Sequence, residues 1–421
     1  MKHLPRLLTK SFSLYRGLPR AVYALFFAQV VNSIGHLVYP FLTFFLTQRL
    51  GYDSGAAGAF IFVASTAFVP GSLIGGKLAD TLGRKMVLIT AQGLAAAMLI
   101  PCAFLGTSPI IPWLLIGSNL FGGAADPCHE SITTDITRSG QRQAAFSLLY
   151  LGHNIGFAVG PLIAGFLFVH SLRWLFLGDV ITTFIALVFV ALLVPETKPT
   201  EEEIEAHGEH SENERAETGG LLKALLKRPF LMAFSFLSLV LTFVYSQYTF
   251  SLPLQMEFLY PQSGPVYYGT LMTINALVVI FLTTPAIALT KKIRPLIVVG
   301  ISAVLFAAGF GMIFLISSIP LFVLSTIVWT VGEILQVTNT NVYIANHTPI
   351  SHRGRFNSVL PIIIGTGFAL GPPVMGQYIE TYGVTAVWVL TFYISLAGAA
   401  GLFILYFLER RSKMKKGSKN P

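Results

Sequence analysis

The chain alternates twelve long apolar stretches with short polar connections. The stretches run near 21–48, 57–79, 86–105, 110–134, 144–169, 173–194, 229–252, 267–289, 295–316, 319–345, 355–379 and 384–408. A helix needs roughly 20 mostly apolar residues to cross a bilayer. In hydrocarbon every backbone N–H and C=O must be satisfied within the segment, so stretches of this kind read as helices. Composition agrees. Of 421 residues 54% are hydrophobic and only 11% charged, and mean hydropathy is +0.69. A soluble domain carries about 25% charge and has too little interior to hide so much apolar surface. The fold class is therefore an all-α polytopic membrane protein with 12 transmembrane helices.

The net charge of +9 sits in a few clusters between the stretches. With both termini placed in the cytoplasm, 26 of the 28 Lys and Arg residues fall on the cytoplasmic side, leaving Arg49 and Arg173 outside. Positive-inside bias of this kind is a topology signal and not a nucleic-acid footprint. The expected location is a bacterial inner membrane. Residues 1–20 read as a basic cytoplasmic leader and 409–421 as a basic tail. The first apolar stretch is too long for a cleavable signal and is read as the first span. Cys102 and Cys128 both lie in apolar stretches and suggest neither a disulfide framework nor a zinc site. No Gly-x-x-x-x-Gly-Lys-Ser/Thr run is present, so ATP drive is not expected.

Residues 195–228 differ in kind, being polar and rich in Glu, with Glu201, Glu202 and Glu203 in sequence. They read as a cytoplasmic linker between two six-helix halves, 21–194 and 229–408. His207 and His210 within it are a weak metal signal, and no metal is expected. An internal repeat supports the division. Gly156-Phe157-Ala158-Val159-Gly160-Pro161 recurs 211 residues later as Gly367-Phe368-Ala369-Leu370-Gly371-Pro372, and Gly165 maps onto Gly376 at the same offset. Two parallel six-helix halves are one of the repeat architectures of secondary transporters, with substrate bound near the midplane.

The connection after the second stretch reads Gly75-Gly76-Lys77-Leu78-Ala79-Asp80-Thr81-Leu82-Gly83-Arg84-Lys85. It resembles the signature loop of the major facilitator superfamily. The resemblance implies that fold, with two pseudo-symmetric halves, and a conformational latch of Gly76, Asp80, Gly83, Arg84 and Lys85, secured by Asp135 and Arg142. Thr81 stands where the family pattern usually has Arg, so one latch contact is missing. The fifth stretch, with Gly156, Gly160, Pro161 and Gly165, resembles the Gly-Pro motif of the drug:proton antiporter branches. Glycines four apart also permit close helix packing, which explains Gly371 and Pro372 equally well. Ser118-Asn119-Leu120-Phe121-Gly122-Gly123 lacks the Arg that many members carry in the fourth span. The run around Gly332-Glu333 looks like bacterial multidrug exporters of the superfamily.

Ionisable residues at membrane depth are functional candidates by default, because a charge there is costly. Glu333 lies mid-span in the tenth stretch with Gln336 on its face, where an acid can take a proton from one side and release it to the other. Asp126 and Glu130, four apart in the fourth stretch, share one helical face and are expected to titrate as a coupled pair beside His129. Structural pairing competes with function for each of these acids. Asp179, six residues after Arg173, reads at least as well as half of an interfacial charge pair. Gln29, Asn32 and His36 form a polar stripe on the first stretch that ends near Tyr39, and His36 can join a proton relay or serve structurally. Tyr245, Gln247 and Tyr248 are expected to line an amphipathic cavity suited to organic cations.

Together these readings predict a proton-coupled secondary transporter exporting amphipathic or cationic small molecules. Glu333, Asp126, Glu130 and His36 carry protons or substrate charge. No cofactor is expected beyond the proton gradient. The expected partners are a small-molecule substrate, protons and the lipid bilayer, for a monomer that binds no nucleic acid. A nutrient importer and a lipid translocase are the rival transporters. A membrane enzyme lacks any nucleophile–base constellation.

Overall fold

The computed structural model describes residues 15–138, 141–198, 228–347 and 353–417. The first part of the basic leader, most of the acidic linker with His207 and His210, and the end of the tail lie outside the described residues. Among the described residues twelve long helices follow one another: α1 (Arg20–Arg49), α2 (Ser54–Leu82), α3 (Arg84–Cys102), α4 (Ile111–Asp135), α5 (Arg142–His170), α6 (Leu172–Leu193), α7 (Pro229–Leu259), α8 (Gly264–Thr290), α9 (Pro295–Leu315), α10 (Ile319–His347), α11 (Arg353–Tyr382) and α12 (Ala386–Gly417). Eleven are long and apolar enough to cross a membrane, and the exception is α4, which carries Asp126, His129 and Glu130. Large apolar side chains such as Leu192, Leu289 and Leu315 leave more than three-quarters of their surface uncovered by protein. That surface suits lipid, not water.

Local sequence explains where the helices start. Proline occupies the first turn of α4, α7, α8 and α9, where its missing N–H has no intrahelical partner to lose. Gly83, between α2 and α3, has φ +108°, which a side chain would strain.

The chain forms two compact units. One holds the described residues of Met1–Leu50, Val63–Thr200 and Tyr268–Ala276, and the other those of Gly51–Phe62, Glu201–Tyr267 and Leu277–Pro421. Each unit therefore includes a segment of a helix that belongs mainly to the other. Within the first unit α1 packs on α5 and α6, and α3 packs on α4 and α6. The same four pairings recur in the second unit as α7 on α11 and α12, and α9 on α10 and α12.

Glycines set these contacts. A Cβ on Gly75 would overlap the Ala124 carbonyl, so α2 and α4 touch backbone to backbone. On α5, a Cβ at Gly156 would lie 2.7 Å from the Val30 carbonyl of α1, and one at Gly160 2.8 Å from that of Ile34. Gly165 is buried on the same helix, and Gly269 meets the Pro161 carbonyl inside the first unit. In the second unit Gly371 is seated on Ser246 of α7, and the Pro372 carbonyl meets Gly58.

Two helices are broken. The regular helix of α1 ends at Gly35, and winding resumes at Tyr39–Phe41. In α7 the helix ends at Tyr245, passes through a tight turn at Ser246–Tyr248, and resumes at Ser251. The two breaks are related by the 211-residue offset, which places His36 on Gln247.

Candidate functional site

The first unit encloses a polar cavity of about 570 Å³. Its walls carry Gln29, Asn32, His36 and Tyr39 from α1, Gln92 from α3, Asp126 and His129 from α4, and Asp179 from α6. A smaller cavity of about 150 Å³ shares Gln29, Asn32, Gln92 and His129 with it and adds Glu130. The polar stripe on α1 thus faces inward, as lipid would require. Asp126 and Glu130 are not brought into one pocket: Asp126 lines the larger space and Glu130 the smaller.

A hydrogen-bonded chain runs through the residues the two spaces share. His129 Nε2 lies 3.2 Å from Gln92 Oε1, Gln92 donates to Asn32 Oδ1 at 3.1 Å, and Thr183 donates to the same oxygen at 3.3 Å. An amide oxygen only accepts, so the hydrogen of this contact belongs to His129 Nε2. A second chain runs from Gln29 to Ser33 Oγ at 3.2 Å and from Ser33 to His153 Nδ1 at 3.1 Å. His36 stacks on Tyr39, with ring centres 5.4 Å apart. The Asp126 and Glu130 carboxyls make no hydrogen bond or ion pair among the described residues, so both are free to receive a proton or a cation. Asp179 does not pair with Arg173. It accepts the backbone N–H groups of Leu37 and Val38 at the α1 break, while Arg173 lies over the Phe104 ring.

The second unit surrounds Glu333 with aromatic rings. Tyr245 and Tyr248 lie close enough to Glu333 for its carboxylate charge to act on both phenols. Trp329, one turn before Glu333, has its ring 5.7 Å from that of Tyr248 and 6.1 Å from that of Tyr245. Phe368 of α11 closes the group at 6.4 Å from Tyr248. The Trp329 ring is fully buried, and its indole N–H has no acceptor among the described residues. Glu333, Tyr245, Tyr248 and Phe368 are half-buried. Gln336 is buried on α10. Gln247 is placed differently from the two tyrosines. It is fully buried in the α7 break, donating to the Phe243 carbonyl at 2.9 Å and accepting from Ser251 at 2.6 Å. A broken helix leaves main-chain groups to satisfy, and this amide does so.

At the α2–α3 connection, Arg84 forms an ion pair with Asp135 at the end of α4. Asp80 is exposed and makes no ion pair among the described residues, and Arg142 is exposed on the first turn of α5. Gly76 leaves room, with the Pro127 ring 4.0 Å from where a Cβ would stand. Glu196, which the sequence reading passed over as the start of the linker, does the tying. It accepts the backbone N–H groups of Arg84 at 2.7 Å, Lys85 at 3.2 Å and Met86 at 3.3 Å. Its carboxylate occupies the space a side chain on Gly83 would need. Lys85 Nζ reaches the Ala191 carbonyl at the end of α6, and Lys198 Nζ the Thr81 carbonyl at the end of α2, each at 2.7 Å. Burial alone would raise the Glu196 carboxyl. The N–H groups of Lys85, Thr197, Met86 and Arg84 outweigh that effect and hold it below its ordinary value.

The family model described as "Major Facilitator Superfamily" matches residues 24–332 and 261–421, which together take in nearly the whole chain. The chain belongs to the major facilitator superfamily. It is a multi-pass membrane transporter and not an enzyme. It is 24% identical to the uncharacterised MFS-type transporter YqjV of Bacillus subtilis (strain 168) over 385 residues, covering 89% of this chain and 90% of that one. It is 26% identical over 413 residues to a Na(+), Li(+), K(+)/H(+) antiporter of Planococcus maritimus, covering 91% and 95%. A crystal structure of a POT peptide transporter superposes with a TM-score of 0.75 at 16% identity, over 95% of this chain and 98% of the other. That likeness concerns the fold of the superfamily.

Proposed function

We propose that this transporter exports organic cations and amphipathic small molecules in exchange for protons, by alternating access, with no cofactor beyond the proton gradient. The observation that carries the reading is Glu333 set beside the packed rings of Tyr245, Tyr248, Trp329 and Phe368. A carboxylate beside aromatic faces attracts a desolvated organic cation twice, by charge and by the ring quadrupoles. The same carboxylate can hold a proton instead, so the two cargoes compete for one group and move in opposite directions. The protonatable groups of the first unit, Asp126, Glu130, His129 and His36, supply further stations for protons. The antiporter from Planococcus maritimus supports exchange as the mode of transport. Its printed cargoes also favour a second reading, the exchange of alkali cations for protons. The chain acts as a monomer in a bacterial cytoplasmic membrane, with both termini cytoplasmic.

Purified protein in proteoliposomes with an imposed pH gradient tests this. Export of a cationic dye should follow the gradient, and Glu333→Gln should slow it at least tenfold. A Glu333→Gln protein that exports the dye as fast as wild type removes Glu333 from coupling. Gradient-driven movement of Na⁺ or K⁺ without dye export selects the alkali-cation reading. Inward uptake of a nutrient alone rejects export altogether.

A further inference from the structure

Where α1 loses its helical winding, the N–H of Val38 has no backbone acceptor among the described residues, and that of Leu37 has only the Gly35 carbonyl of a tight turn, at 2.7 Å. Both donate to one oxygen of Asp179 on α6, at 3.1 and 3.2 Å. Asp179 is 6% exposed. The helices meet so closely here that a Cβ on Gly35 would overlap the Thr182 side chain. The second Asp179 oxygen makes no hydrogen bond among the described residues, and the residue borders the 570 Å³ cavity with His36 and Tyr39.

A charge is not needed to close such a break. In α7, 211 residues on, the equivalent interruption is satisfied by neutral groups, with Gln247 bonded to the Phe243 carbonyl, Ser246 and Ser251. The position matching Asp179 is Leu390. A carboxylate at membrane depth costs free energy that an amide does not, so its presence in one break alone calls for a use. Hydrogen bonds to an ionised acceptor are roughly twice as strong as neutral ones. Both bonds from the α1 break to α6 therefore depend on a single ionisation, and Val38, unlike Leu37, has no backbone acceptor to fall back on.

We propose that Asp179 is a proton-binding site of the transporter, and that taking up a proton there releases Val38 and leaves Leu37 to its Gly35 turn alone, so that the two parts of α1 can change their relative angle. The titratable groups around it are His36 and Tyr39 on α1, Cys102 on α3, and Asp126 and His129 of α4 across the cavity, with His153 on α5 acting on His36. The one cation of its own helix near this end, Arg173, is engaged with the Phe104 ring 4.6 Å away. Among the described residues no permanent cation pairs with Asp179, which leaves its charge open to neutralisation by a proton. The inference rests on the proton-coupled reading only for the gradient that would drive the site.

Hydrogen–deuterium exchange on the full-length protein in nanodiscs, between pH 5 and 8 and corrected for intrinsic exchange, reads the Val38 amide directly. Protection in the wild type should fall at least tenfold on acidification. Asp179→Asn should give low protection at every pH, and His36→Gln and Asp179→Glu should keep the pH response. A flat wild-type profile, a response that survives Asp179→Asn, or one lost in His36→Gln overturns the proposal. So does protection that follows Na⁺ concentration at fixed pH. If Asp179→Asn does not fold, the wild type, His36→Gln and Asp179→Glu still decide. A normal exchange profile together with transport that ignores the pH gradient would defeat proton-coupled export and leave the site standing.

Discussion

At the scale of single residues, the aromatic group around Glu333 separates two contributions that a substrate feels. Charge attraction acts on any cation, whereas ring faces reward cations that shed water readily. Cation–π contacts are worth about 0.5–2 kcal/mol, which converts to roughly a two- to thirtyfold change in binding. Trp329→Leu should therefore weaken apparent affinity for a quaternary ammonium substrate by about that factor and leave a neutral amphipathic substrate nearly unaffected, as read from concentration dependence of transport. Equal losses for both would show that Trp329 serves packing alone. The sequence made Glu333 legible, since an acid in an apolar stretch is conspicuous. Tyr245 was legible as an aromatic of the seventh stretch, but not as a neighbour of Glu333. The partners of Asp179 were hidden for a related reason. Arg173 is six residues away in sequence, but its true donors lie 142 and 141 residues away. Spacing along a chain reports such contacts only within one helix.

At the scale of helices, the glycine positions carry the close contacts, and the structure separates tight ones from permissive ones. Gly156 faces the Val30 carbonyl and the Ser33 side chain of α1, whereas Gly122 has nothing within 4 Å of where its Cβ would stand. Overpacking a tight contact costs about 1–3 kcal/mol. Gly156→Val should lower the thermal midpoint of the purified protein by several degrees, and Gly122→Ala should leave it unchanged. The start of α3 supplies a second prediction. Glu196 acts as its cap from outside the helix, and loss of a cap costs about 1 kcal/mol. The folded Glu196 is held below its ordinary value. Its contribution is thus complete above the ordinary carboxylate range and disappears as pH falls through the lowered value. Glu196→Gln should melt below wild type at pH 7, and the gap should close on acidification. A gap that widens in acid would contradict the assignment. The Gly-Pro repeat announced the contacts of α5 and α11 in advance, because spacing four apart puts small residues on one face. Glu196 was not legible, because a carboxylate following an apolar stretch looks like ordinary linker until the α3 N–H groups are seen around it.

For the whole molecule, the two apolar halves and the charge bias predict which connections share a side. Cysteines placed at Thr107, between α3 and α4, and at Lys292, between α8 and α9, should react with an impermeant maleimide from opposite faces of the membrane, in a background lacking Cys102 and Cys128. Labelling of both from one face would overturn the assigned orientation. The number of helices was legible from hydropathy. The assignment of residues 51–62, which include the start of α2, to the second unit and of 268–276 of α8 to the first was not, since an apolar stretch looks the same whichever neighbour it meets. One helix also departs from the hydropathy rule, and its departure matters before the protein is complete. Among the described residues α4 alone of the twelve is too polar to qualify as a span by itself. A charged Asp at the centre of a helix opposes insertion by about 2.5–3.5 kcal/mol. The nascent α4 therefore has reason to wait at the translocon for company, and α3 is at hand with Gln92 to meet His129. The pair should enter lipid as a hairpin, so that a ribosome-bound chain with α3 replaced by a polar spacer would leave α4 stranded in water.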